Sequence, residues 1–132
     1  MFHTYGANPT STAAARAVLQ VMKDEALQQN AQKVGGVLLQ RLQELQGRHK
    51  SIGDVRGKGL MLAIEMVSDQ KTKTPDPEVT TAVFEACRSQ GLILSKSGPS
   101  QSVLRMVPPL CLSEADVEAV AEGLEAAFSA LG

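Results

Sequence analysis

The stretch Ile52-Gly53-Asp54-Val55-Arg56-Gly57-Lys58-Gly59-Leu60-Met61-Leu62-Ala63-Ile64-Glu65-Met66-Val67 decides the fold class. Residues 52–59 are punctuated by glycine and read as a turn, because glycine admits backbone angles that a side chain forbids. Residues 60–67 are mostly apolar and β-branched or aliphatic, which reads as a buried strand. A buried strand set among helical periodicities makes the chain α/β.

Upstream, Pro9 fits the first turn of a helix, and residues 10–23 are rich in alanine, with Val18, Leu19 and Met22 as an apolar edge. A second helix carries Leu27, Ala31, Val34, Leu38, Leu42 and Leu45 at spacings of three and four, one stripe facing a core. Gly35 and Gly36 interrupt it, each costing about 1 kcal/mol relative to alanine, so both are expected where another element approaches closely. Downstream, residues 68–77 lack periodicity and form a surface loop. Asp76 then caps a helix beginning at Pro77, with Val79, Val83 and Cys87 on its inner side and Gly91 as its stop. Residues 92–95 and 103–107 read as two short neighbouring strands, and Pro108-Pro109 ends the second. Ser113 and Asp116 stand in capping-box spacing before a last helix that presents Val117, Val120, Leu124 and Phe128. The expected order is helix, helix, strand, helix, strand, strand, helix, with no internal repeat.

At 132 residues, with 43% apolar and only 3% aromatic side chains, the chain supports one aliphatic core. Its formal net charge of -1 offers no footprint for nucleic acid or an anionic membrane. No apolar run approaches the roughly 20 residues of a membrane-spanning helix, and the opening is not an Arg-rich presequence. Cys87 and Cys111 lack the CxxC spacing of zinc or redox sites and read as buried thiols. No metal site is expected.

Among residues that could carry chemistry, Thr4-Tyr5-Gly6-Ala7-Asn8-Pro9 sets a hydroxyl, small residues and a helix start together. Such a turn either offers a phosphate several donors or simply caps the helix. Gly57-Lys58-Gly59 lacks the spacing and the Ser or Thr of a phosphate loop, so a structural turn is expected instead of a nucleotide site. Arg56 has Asp54 and Glu65 as structural partners and could alternatively hold a carboxylate. Arg105, inside Val103-Leu104-Arg105-Met106-Val107, either faces solvent or meets an anion, because an unpaired buried guanidinium costs several kcal/mol. His3 and His49 have no nearby nucleophile pattern and do not read as bases.

Three separated pieces together resemble one family, the class-III aminotransferases. Residues 2–9 resemble its F-x-T-[FY]-G-G-N-P segment, with Ala7 where a second glycine is usual. Residues 54–61 are similar to its D-V-R-G-x-G-L-M, and residues 104–110 to its hydrophobic-R-hydrophobic-x-P-P-L. Their order and separations agree over essentially the whole chain, and the wording is most similar to the alanine–glyoxylate aminotransferase 2-like branch.

The resemblance implies the small C-terminal domain of a fold-type-I aminotransferase, a short mainly antiparallel sheet covered by helices. Residues 1–24 would be the cofactor-phosphate loop and connecting helix of the large domain, and residues 25–132 the small α/β domain. It implies pyridoxal 5'-phosphate as cofactor, with Thr4 binding its phosphate for the neighbouring subunit of a homodimer or dimer of dimers. Arg105 would clamp the substrate carboxylate. Amino acid and 2-oxo acid substrates, mitochondrial localisation, and transfer from alanine or a related donor to glyoxylate or pyruvate are implied in the same way. No lysine here stands in the context of the family's Schiff-base lysine, so no catalytic residue is assigned and the chain alone is expected to be inactive. The competing expectation is a non-catalytic binding or regulatory α/β domain.

Overall fold

The computed structural model describes residue 6 and residues 8–131. Helix α1 (Pro9–Asp24) begins where Asn8 accepts a hydrogen bond from the Ser11 N–H at 2.9 Å and Pro9 supplies the preset φ of a first helical residue. A short break with Ala26 in the left-handed region leads to α2 (Leu27–Arg48). The remaining elements are β1 (Ile52–Lys58), β2 (Met61–Asp69), the two-residue β3 (Thr74–Pro75), α3 (Pro77–Ser89), β4 (Ser95–Ser97), β5 (Val103–Met106) and α4 (Glu114–Ser129). The sheet runs β1-β2-β5-β4 with every neighbour antiparallel, and β3 pairs with β2 outside that path. The α/β class and the short antiparallel sheet are as expected.

The helix starts legible in sequence are all present. Asp76 accepts from the Val79 N–H at 2.9 Å. Ser113 and Asp116 form the reciprocal capping box, and the Ser113 hydroxyl and N–H hold the Asp116 carboxyl below its ordinary range. One stripe of α2 (Val34, Leu38, Leu42, Leu45), the inner sides of α3 (Val83, Cys87) and α4 (Val117, Leu124, Phe128), and one face of the sheet (Val55, Leu62, Ile64, Met66, Leu104, Met106) form a single buried core. Each fully buried aliphatic side chain among them contributes about 1.5–3 kcal/mol relative to exposure. Burial also pushes the Cys87 thiol up to about 11, which keeps it inert at neutral pH.

Five expectations need correction, the first being that residues 68–77 are not all loop, since β2 runs on to Asp69 and β3 pairs with it. Residues 52–58 are a strand, paired along most of their length with β2, so the turn shrinks to Gly59-Leu60. Their glycines belong to that pairing: a side chain at Gly57 would stand 2.4 Å from the Met61 carbonyl oxygen. Residues 92–94 are not a strand; pairing with β5 starts at Ser95 and runs to Ser97, because β5 lies opposite that stretch. Cys111 is exposed, since the chain after Pro109 runs over the surface. Finally, only one of the two glycines in α2 marks a close approach. A Cβ on Gly35 would come within 2.1 Å of the Gly59 carbonyl oxygen, whereas Gly36 faces open space.

These last two positions give a paired prediction. Gly36→Ala should raise stability by up to about 1 kcal/mol through helix propensity and a less flexible unfolded chain. Gly35→Ala gains the same propensity but forces α2 off the β1–β2 turn, and should lower stability by about 1–3 kcal/mol net. Urea midpoints of the two variants would check this, and equal midpoints would show that the contact can relax.

Candidate functional site

The helices cover one side of the sheet and leave the other open. Along β5, Leu104 and Met106 are buried while Arg105 between them is exposed, so the strand's alternation aims the guanidinium away from the core. In register, Arg105 lies opposite Ala63 on one side and Ser95 on the other. Ala63 in turn lies opposite Arg56 of β1. The open face therefore carries a transverse row Arg56, Ala63, Arg105, Ser95, in which two arginines are separated by a methyl group.

The two arginines differ in electrostatic state. Arg56 Nη1 donates to Asp54 Oδ2 at 2.7 Å and to Glu65 Oε2 at 2.5 Å, so two carboxylates share one nitrogen. Those hydrogen bonds, Asp54's first, raise the Arg56 pKa further above its ordinary value. With the Arg56 side chain 50% exposed, the cluster contributes little to stability and mainly sets charge and orientation. Structural pairing of Arg56 is thus what the structure holds. Arg105 has no carboxylate partner among the described residues and faces solvent, one of the two alternatives open in the sequence.

The chain beyond β5 is held in place by a residue that sequence reading missed. Asn30 of α2 donates through Nδ2 to the carbonyl oxygens of Leu110, at 2.7 Å, and Leu112, at 3.0 Å. With the Leu112 N–H on the Pro109 carbonyl at 3.0 Å, this ties the segment after Pro108-Pro109 to the second helix. A polar residue at the edge of the α2 apolar stripe was the only available signal. Beside the end of β5, Ile93, Leu94, Val107 and Pro108 help line an apolar crevice of about 250 Å³.

Thr4 lies outside the described residues. At the start of α1, Asn8 itself takes up the Ser11 N–H through its side chain, at 2.9 Å, and the Thr12 N–H through its carbonyl, at 3.0 Å. Pro9 has no N–H at all. Through the Asn8 cap on Ser11, and with Pro9 at the first helical position, the helix end has fewer N–H groups to offer a phosphate.

A covalent cofactor anchor would need an amine free of ion pairs in an enclosed cleft. Lys33 pairs with Glu114 at 2.7 Å, Lys73 donates to the Gly53 carbonyl at 2.7 Å, and Lys96 donates to Thr81 Oγ1 at 3.1 Å. Lys23, Lys50, Lys58 and Lys71 are exposed. The exposed Arg105 fits anion recognition, and none of these lysines fits the anchor. His49 sits at 3.0 Å from Glu125 and 5.0 Å from the Phe128 ring, joining α2 to α4. Among the described residues no helix is long and apolar enough to cross a membrane.

Comparison with known proteins bears on the family and the fold. The family model described as Aminotransferase class-III matches residues 2–128. Alanine–glyoxylate aminotransferase 2 homolog 2, mitochondrial, of Arabidopsis thaliana is 41% identical over 97% of this chain and 27% of its own length. Ethanolamine-phosphate phospho-lyase homolog 1 of Caenorhabditis elegans is 41% identical over 88% of this chain and 25% of its own length. An amine transaminase from an uncultivated Pseudomonas species, in its PLP-bound internal aldimine form, superposes with a TM-score of 0.90 at 38% identity, over 100% of this chain and 30% of that one. The chain spans between 25% and 30% of the length of these proteins. With a family match over nearly its whole length, three sequence motifs in register and the same fold, this chain belongs to the class-III aminotransferase family.

Proposed function

We propose that this chain is the C-terminal part of a pyridoxal-phosphate-dependent transaminase that moves an amino group from alanine or a related amino acid to a 2-oxo acid such as glyoxylate or pyruvate. In this reading residues 1–24 supply the cofactor-phosphate loop and connecting helix, and residues 25–132 are the small domain. The observation that carries it is Arg105, a cation on an open sheet face, without a carboxylate partner among the described residues and flanked in register by the small side chains of Ala63 and Ser95. Family membership supports the identity of its ligand.

The guanidinium fork binds the substrate carboxylate through two parallel N–H···O bonds, which fixes the amino acid in one orientation. Leu104 and Met106, buried on either side, prevent the strand from rotating the arginine away. The Thr4 hydroxyl donates to the cofactor phosphate, for the active site of the neighbouring subunit in a homodimer or dimer of dimers. Pyridoxal phosphate, when bound, supplies the electron sink for amino transfer. The lysine that anchors it and the groups that move the α-proton belong to a large domain outside this chain, so the chain alone supplies recognition without chemistry. Mitochondrial localisation accords with the name of the Arabidopsis relative.

The 41% identity to the phospho-lyase homolog of Caenorhabditis elegans favours one second reading, in which the anion met by Arg105 is a phosphate monoester. Substrate tests on the full-length holoenzyme separate them: glycine formed from alanine and glyoxylate supports the transaminase, and inorganic phosphate released from phosphoethanolamine supports the lyase.

Three outcomes are expected. The isolated chain, given pyridoxal phosphate, alanine and glyoxylate, should make glycine no faster than free cofactor does; faster turnover would defeat the assignment of chemistry to another domain. In the full-length protein, Thr4→Ala should weaken cofactor retention by about 1.5–3 kcal/mol, the value of one charge-assisted hydrogen bond. Arg105→Lys should raise the alanine KM and Arg105→Ala should raise it further, by roughly ten- to a hundredfold, with cofactor retention unchanged. An unchanged KM accompanied by a lower Tm for Arg105→Ala would instead make the arginine structural.

A further inference from the structure

Arg105 stands where the pairing of β5 is about to end. On one side its partner Ser95 is the first paired residue of β4, and on the other the pair Leu62 and Met106 is the last that β5 makes with β2. Beyond Met106 the chain enters Val107-Pro108-Pro109, and a proline has no N–H to give a neighbouring strand. Carbonyl oxygens become the main handles by which this exit can be fixed.

Asn30 takes hold of two of them. Its Nδ2 carries two N–H groups and reaches the Leu110 carbonyl at 2.7 Å and the Leu112 carbonyl at 3.0 Å. Two carbonyl acceptors also decide which way the amide points, since its own oxygen would be repelled by both. The same stretch of α2 receives the β1–β2 turn: a Cβ on Gly59 would stand 3.5 Å from the Ala31 carbonyl oxygen, and one on Gly35 2.1 Å from the Gly59 carbonyl oxygen. Residues 30–35 therefore meet both the turn that leads into β2 and the exit from β5. Because β2 and β5 are antiparallel neighbours, these two ends adjoin, and the pair Ala63 and Arg105 lies just inside them.

We propose that Asn30 is a positioning residue for the substrate carboxylate: its amide clasps the exit from β5 and so fixes the backbone from which Arg105 reaches. Asn30 touches neither substrate nor cofactor. This rests on the reading of Arg105 as the carboxylate receptor and adds what holds that receptor in place. Without the clasp β5 stays in the sheet, because Leu104 and Met106 remain buried and paired with β2. What is lost is the fixed exit, and a two-bond fork is sensitive to displacements well below 1 Å.

The test uses the full-length holoenzyme. Asn30→Asp keeps the shape of the side chain and suits a position near the start of a helix, but sets an acceptor against two carbonyl oxygens. With it, kcat/KM for alanine should fall about tenfold while cofactor retention stays unchanged. Asn30→Ala removes the donors without adding repulsion and should cost about threefold; it replaces Asn30→Asp if that variant does not fold. The decisive reading is made in an Arg105→Ala background, where the fork is gone and the Asn30 substitution should lower kcat/KM no further. A merely structural tie would lower it in both backgrounds alike. Equal losses in the two backgrounds, or an unchanged kcat/KM with a lower Tm, overturn the proposal. If Arg105→Ala alone leaves the kinetics with alanine unchanged, the receptor assignment has failed and this proposal with it. If Arg105→Ala is damaging and the Asn30 variants are not, only the role of the clasp has failed.

Discussion

At its turn the β1–β2 hairpin meets the second helix by a close backbone approach. Gly35 has no side chain where the Gly59 carbonyl arrives, and Gly59, with φ at +55°, adopts a conformation that L side chains rarely take. That contact presses the turn onto the helix axis and sets the tilt of the sheet on the helices. Everything that faces outward depends on it, since a hairpin lifted by the width of a methyl group would move β2, and with β2 the strand that carries Arg105. The ~1 kcal/mol that a glycine costs inside α2 is the expense of this fit.

From that constraint comes a sheet with two unlike faces. The inner one holds Val55, Leu62, Ile64, Met66, Leu104 and Met106 against three helices, and aliphatic burial stabilises it with almost no aromatic contribution. The outer one carries Asp54, Arg56, Ala63, Glu65 and Arg105 and, among the described residues, has no helix over it. The first helix shares this incompleteness: it has no buried residue, and Val18, Leu19 and Val21 are exposed. A strand period of two with one covered side therefore produces recognition chemistry on the other, without any loop having to place it.

Much of this was legible in the sequence because it is local. Pro9, Asp76 with Pro77, and Ser113 with Asp116 mark helix starts by hydrogen bonds and ring geometry within a few residues, and all three starts stand where the sequence puts them. The apolar stripe of α2 and the strand through Leu62 and Ile64 follow from periodicity, and the three motifs carried the family. What failed was not local. The first strand contains glycines and alternating charges and reads as a turn until β2 lies beside it, and β4 begins at Ser95 instead of residue 92 only because β5 is where it is.

The same division runs through the candidate site. Residue type and motif established by themselves that Arg105 is a cation in a strand and that Arg56 has two acids near in sequence or pattern. Whether each is paired is a matter of register, which no spacing along the chain contains: Glu65 reaches Arg56 across the hairpin, Ala63 stands between the two arginines, and Asn30 reaches the segment after Pro109 from another helix. The sequence by itself determined the class, the helices, the family and the identity of the charged groups, because those depend on side-chain chemistry and short-range hydrogen bonds. Only the tertiary structure decided which arginine is saturated and which stands open, because that depends on which strands lie side by side.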